Sequence, residues 1–267
     1  MSQRVSPVFL AILAATAGCG VLCWTEALGR NGTRFALFGF VMLGWIASLC
    51  FHEFGHARTA LWGGDTSVIG RGYLTFDPRK YVQPGLSLWL PLFFLAIGGI
   101  GLPGGAVWIN VGAIKSPVRR SLMSLAGPAA NLLLGAALAS TAKLMGSSAQ
   151  DHLYFGGALS YLAQLQFMAA FLNLVPLPGL DGFGALEPFL PRSFLERIAP
   201  FRGFSTFALF LLAFQSDFFQ DLVFGNARRA AEAFGVPRVQ NLEGFLFSLA
   251  DFGQVLFRSV IDLNGAL

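Results

Sequence analysis

Apolar residues run along this chain in six long blocks, at 7–24, 35–61, 86–111, 121–142, 155–180 and 204–224. About 20 apolar residues in a helix cross the ~30 Å hydrocarbon layer of a bilayer. The pattern therefore predicts an all-α polytopic membrane protein with about five to six transmembrane helices. Two stretches break it. The block at 86–111 ends in Gly98-Gly99-Ile100-Gly101-Leu102-Pro103-Gly104-Gly105, a run that no stable helix favours. Irregular backbone at membrane depth survives only where protein buries it or water lines it, so this block reads as a re-entrant segment rather than a simple span. Between the second and third blocks, residues 63–85 are polar. There, 66–69 and 73–76 flank Gly70-Arg71-Gly72, which predicts a small β-hairpin.

Composition sharpens the class. Of 267 residues, 55% are hydrophobic and only 12% charged, which excludes a soluble enzyme with a large core. The net charge of +4 gathers into no basic cluster of the kind that grips nucleic acid, so no nucleic-acid partner is expected. Cys19, Cys23 and Cys50 all lie in apolar runs and read as small buried residues, not as a disulfide framework. The first block follows a lone Arg4 and could be a signal peptide, but its 18 residues suffice to span, and a retained first helix is expected. Residues 1–225 form the expected membrane-embedded domain, with a core at 35–225, and 226–267 an interfacial tail whose 242–260 stretch is aromatic-rich.

The chemistry sits at the end of the second block, in His52-Glu53-Phe54-Gly55-His56. On a helix His52 and His56 stand at i and i+4, so both imidazoles leave one face a turn apart. Two neutral imidazoles at that spacing suit Zn²⁺, and Glu53 can take a proton from a water at the metal. The motif is short, but an ionisable group inside a membrane-grade segment is costly and marks a functional site. Zinc needs a third protein ligand. His152 lies in a polar loop, and Trp62 stands where one zincin variant carries its third His. A carboxylate remains. Asp181 is the most unusually placed, after Pro176 and Pro178 break a long apolar helix; Asp77, in the polar loop, competes with it.

Topology bears on that choice, because ligands must meet at one depth on one side. With the N-terminus inside, a single crossing by 86–111 would carry Asp181 to the face opposite the histidines. A re-entrant 86–111 returns it beside them. The second arrangement places Arg4, Arg58, Arg71, Arg79, Lys80, Lys115, Arg119, Arg120, Arg192, Arg197 and Arg202 inside, against Arg30, Arg34 and Lys143 outside. That distribution obeys the positive-inside rule and puts the site near the cytoplasmic side of a multi-pass protein of the cell membrane.

Three ordered motifs now resemble the site-2 protease family of intramembrane zinc metalloproteases: His52-Glu53-Phe54-Gly55-His56, Ala126-Gly127-Pro128-Ala129-Ala130-Asn131, and the run from Asn173 to Leu180-Asp181-Gly182. The match covers roughly residues 35–225 and is closest to the compact prokaryotic members. The resemblance implies that His52, His56 and Asp181 bind zinc and that Glu53 is the catalytic acid/base. It also implies cleavage of transmembrane proteins or peptides within the lipid bilayer. Many members carry a PDZ or nucleotide-sensing domain, for which this sequence has no room. An edge at 66–76 is expected to hold unwound substrate by strand addition. Asn131 and Asn173 are expected either to hydrogen-bond substrate or to hold the metal helices in register. Two other classes stay open: a catalytically silent scaffold of the same fold, and a metal or proton transporter. A relay would spread ionisable groups over several spans, whereas Glu53 alone lies well inside one. The sequence leaves the oligomeric state open.

Overall fold

In a computed structural model the protein is described at residues 4–81, 107–145, 152–200, 212 and 215–236. Among the described residues, four helices are long and apolar enough to cross a membrane. They are α1 (Pro7–Thr25), α2 (Gly29–Gly63), α3 (Pro117–Leu144) and α4 (Leu153–Asn173). Shorter helices follow: α5 (Asp181–Leu186), α6 (Arg192–Ile198) and α7 (Asn226–Ala233). Among the described residues there is no strand. The re-entrant block expected at 86–111 falls largely outside the described residues, its Gly-rich run wholly so, and of the crossing expected at 204–224 residues 204–211, 213 and 214 lie outside them.

The long helices begin where the sequence offers caps. Ser6 and Ser116 each precede a proline, and each side chain accepts an amide N–H of the first turn, from Val8 and Arg119 respectively. α2 packs against α1, α3 and α4, and α3 against α4. Small residues bring these helices together. A Cβ on Gly55 would lie 2.8 Å from the Ala126 carbonyl, and one on Gly135 3.1 Å from the Phe167 ring. Between helices of a membrane bundle, such close approach supplies the dispersion contacts that lipid alone would not favour. The main core joins Leu37, Phe40 and Val41 of α2 to Leu159, Leu162 and Phe167 of α4.

The site end of the bundle is fixed by its connections. Ser6 N–H donates to the Thr75 carbonyl, Arg119 lies over the Trp62 ring, and a Cβ on Gly64 would touch the Ala113 carbonyl. The start of α1, the end of α2 and the start of α3 therefore share one end. The far end holds Trp24 and His152, whose rings stack at 3.6 Å, with His152 Nδ1–H donating to the Trp24 carbonyl.

One expectation changes. The hairpin over 66–76 is instead a helical turn, Ser67–Gly70, followed by tight turns. Asp65 Oδ1 accepts both the Ser67 N–H and its hydroxyl, an Asx turn that leads into the helical turn and diverts the β-branched run from extension. Local bonds such as Gly72 N–H to Ile69 O and Tyr73 N–H to Val68 O then occupy groups that a ladder would need. The substrate edge expected at 66–76 falls with it. Further along, Asp217 through Ala233 form one helical run. Ala227, Ala231 and Val236 belong to the main core, while 237–267 lie outside the described residues.

Candidate metal centre

α2 presents His52 and His56 from one face, and both are buried. Their Nε2 atoms are 3.1 Å apart. Asp181 opens α5, after α4 ends at Asn173, three residues before Pro176. The turn between is held by Leu177 N–H to Val175 O and Leu180 N–H to Leu177 O. Gly179 takes φ +97 in it, which an L side chain rarely adopts. Gly182 packs so tightly on the Leu174 and Val175 carbonyls that any Cβ there would collide. That turn brings Asp181 Oδ2 to 3.3 Å from His52 Nε2, and Oδ1 to 3.3 Å from His56 Nε2. Among the described residues, His52, His56 and Asp181 are the one group of three whose ligand atoms converge on a metal-sized space, all within 4.8 Å.

Hydrogen bonding shows what that space wants. His56 Nδ1 faces the Met123 carbonyl at 2.7 Å. A carbonyl only accepts, so the imidazole proton is on Nδ1 and the Nε2 lone pair points inward. His52 Nδ1 likewise donates to Asn131 Oδ1. Asp181 Oδ2 is buried without a hydrogen bond despite its nearness to His52. Burial opposes ionisation of Asp181, so its carboxylate is stable there only with positive charge beside it. Lone pairs converging on an anion need a cation between them. Ligands of a tetrahedral zinc lie about 3.3 Å from one another, which these separations match. Gly127 completes the cradle: a Cβ there would stand 2.6 Å from His52 Nε2 and collide with His56 Nε2.

The competing ligand is accounted for elsewhere. Asp77 is bound by Arg79 through Nε to Oδ1 at 2.9 Å and Nη2 to Oδ2 at 2.7 Å. That guanidinium holds the Asp77 carboxyl below the ordinary carboxylate range. Glu53 is 3% exposed, and its Oε2 accepts the Val107 N–H at 3.0 Å. Asn173 ends α4 and is buried. Asn131 turns its Oδ1 to His52 and its Nδ2 to Gln166, so both polar ends face protein.

Sequence reasoning passes over several members of this arrangement. Gln166, fully buried in α4, is visible in the sequence as an amide within an apolar block. The Met123 carbonyl and Val107 N–H carry no sequence signal, because any residue supplies them. Asp65 reads in the sequence only as a loop charge. It is 1% exposed, and its Oδ2 accepts the Asn110 N–H at 2.7 Å, which ties the segment beside Glu53 to the end of α2. Asp65→Ala leaves the Ser67 and Asn110 amides without that acceptor, at about 1–3 kcal/mol for each that stays buried and unpaired. The expected result is a lower melting temperature in detergent, together with reduced hydrolysis.

Comparison with known proteins agrees with the geometry. The chain is 45% identical over 212 residues to Rip2 of Mycobacterium tuberculosis strain H37Rv, by name a zinc metalloprotease. That alignment covers 79% of this chain and 81% of Rip2. A Rip2 of Mycolicibacterium smegmatis, bearing the same name, is 46% identical over 74% of this chain and 76% of its own length. YwhC of Bacillus subtilis, also by name a zinc metalloprotease, is 28% identical over 67% of this chain and 81% of its own. No family model matches the chain, and no solved structure does. With its relatives named for the metal that the His52, His56 and Asp181 cradle fits, the chain belongs to the site-2 protease family and is a zinc metalloprotease.

Proposed function

We propose that this protease cuts peptide bonds within or beside transmembrane segments of other membrane proteins, from a site near the cytoplasmic face of the cell membrane. One observation carries the reading: the metal-binding imidazoles and Glu53 are buried on a helix long enough to span, not on a soluble domain. His52 and His56 sit eleven and seven residues before the end of α2 at Gly63, roughly 10–16 Å along its axis. A substrate segment would meet them inside the bilayer or just below its surface. The basic residues Arg71, Arg79, Lys80, Lys115, Arg119 and Arg120 belong to the site end in sequence, while Lys143 closes α3 towards the other, which supports a cytoplasmic site.

The chain's own groups divide the work. His52, His56 and Asp181 hold the metal. Zinc, when bound, supplies Lewis acidity to the scissile carbonyl and to the attacking water. Glu53, steadied by the Val107 amide, removes a proton from that water and later delivers it to the leaving amine. A peptide bond within a helix has its carbonyl and amide engaged, so the substrate must unwind locally before it reaches the metal. Asn173, at the buried end of α4 close to Asp181 in sequence, is the carboxamide assigned to the freed substrate backbone. Asn131 has its two ends committed to His52 and Gln166 and serves the metal side instead.

The test is reconstitution of the purified protein in liposomes with a single-span substrate. Zinc-dependent cleavage mapped inside the span supports the reading. Cleavage confined to a water-exposed loop of that substrate contradicts it. No cleavage by folded, zinc-loaded protein would favour the silent scaffold.

A further inference from the structure

A chain of four buried hydrogen bonds leaves α2, passes through α3 and α4, and returns to α2 one helical turn away. Ser48 Oγ–H donates to the Trp45 carbonyl at 2.7 Å. Gln166 Nε2 donates to Ser48 Oγ at 3.0 Å. Asn131 Nδ2 donates to Gln166 Oε1 at 2.7 Å. His52 Nδ1 donates to Asn131 Oδ1. Ser48, Gln166, Asn131 and His52 are all buried, and Gln166 is 0% exposed.

We infer that Ser48 and Gln166 are positioning residues for the metal, setting which nitrogen of His52 carries its proton. The direction of the chain is forced from its far end. The Trp45 carbonyl can only accept, so the Ser48 hydroxyl must donate to it. Its oxygen then receives the Gln166 amide, which turns Gln166 Oε1 towards Asn131. An acceptor there demands the Asn131 NH₂ group, which leaves Asn131 Oδ1 for His52. Oδ1 can only accept, so His52 keeps its proton on Nδ1 and offers the Nε2 lone pair to the site. Reversal of one amide would reverse the next. His52 would then carry its proton on Nε2, the atom 3.3 Å from Asp181 and 3.1 Å from His56 Nε2. A protonated Nε2 cannot ligate a metal. His56 needs no such device, because a backbone carbonyl fixes its tautomer directly. Plain interhelical glue would need the same contacts but no particular polarity.

This inference rests on the zinc reading of the site, and its test separates the two. The measurements are the zinc dissociation constant of the detergent-purified full chain, by chelator competition, and the ¹⁵N signature of its metal-free imidazoles. With three histidines in the chain, signals are assignable by single replacements. Gln166→Leu and Ser48→Ala are expected to weaken zinc binding by about 10–100-fold, the range seen when groups orienting a metal ligand are removed. In both, part of the His52 signal should move to the form protonated on Nε2. Gln166→Glu should keep both properties near wild type, since a buried, neutral carboxyl still donates to Ser48 and accepts from Asn131. Should Gln166→Leu not fold, Ser48→Ala reads the same two quantities. His52 protonated only on Nδ1 in Ser48→Ala, with wild-type zinc affinity, overturns the inference. So does an equal loss of zinc in all three variants that follows their loss of stability. A wild type that binds no zinc would overturn the zinc reading itself.

Discussion

Glu53→Gln is expected to lower hydrolysis of a reconstituted single-span substrate by about 10²–10⁴-fold, the usual contribution of a positioned acid/base. The change keeps size and hydrogen bonding close to wild type. The substituted amide can still accept the Val107 N–H through its carbonyl oxygen, so the segment beside it stays in place. It cannot take a proton from water. Zinc content should stay at the wild-type level, because Glu53 is not among the three converging ligands. This outcome distinguishes an enzyme from a silent scaffold, for which Glu53 would be a packing residue and its replacement would leave function unchanged. Loss of zinc together with activity would instead show that Glu53 helps to hold the metal.

The second large effect is expected at a residue with no side chain. Gly127→Ala places one methyl group in collision with His56 Nε2 and 2.6 Å from His52 Nε2. The α2–α3 contact has no slack to absorb it, because Gly55 meets the Ala126 carbonyl one residue away. Intrinsic helix propensity would favour the substitution by up to ~1 kcal/mol, so helicity by circular dichroism should hold. Zinc affinity should nevertheless fall by about 10–100-fold, comparable with disruption of groups that orient a metal ligand. A Gly127→Ala protein with wild-type affinity would show that the imidazoles leave the cradle open in solution.

The three converging residues are legible in the sequence because each carries a local signal. The i, i+4 histidines need only a helix, and the uncharged run at 35–50 supplies one. Asp181 stands out because Pro176 and Pro178 forbid a continuing helix ahead of it. Even so, α4 stops at Asn173, earlier than those prolines require, and the tight seat of Gly182 is a tertiary feature. The misread hairpin has a plain cause. Residues 66–69 and 73–76 have strand-like composition around Gly70-Arg71-Gly72, but composition does not reveal that Asp65 closes an Asx turn onto Ser67. The roles of Asn131 and Gln166 are beyond reach for another reason. Their bonds span 79 and 35 residues of sequence and depend on how three helices register. An asparagine read alone is equally a substrate ligand or glue, and its partners lie on other helices.

The most direct test of the zinc site is the metal content of detergent-purified wild type beside His56→Ala and Asp181→Ala, each verified as folded. The expected result is about one zinc per wild-type chain, with the metal lost or greatly weakened in both variants. Zinc held at wild-type affinity by folded Asp181→Ala, or no zinc in folded wild type after the metal is added back, would contradict a centre built from His52, His56 and Asp181.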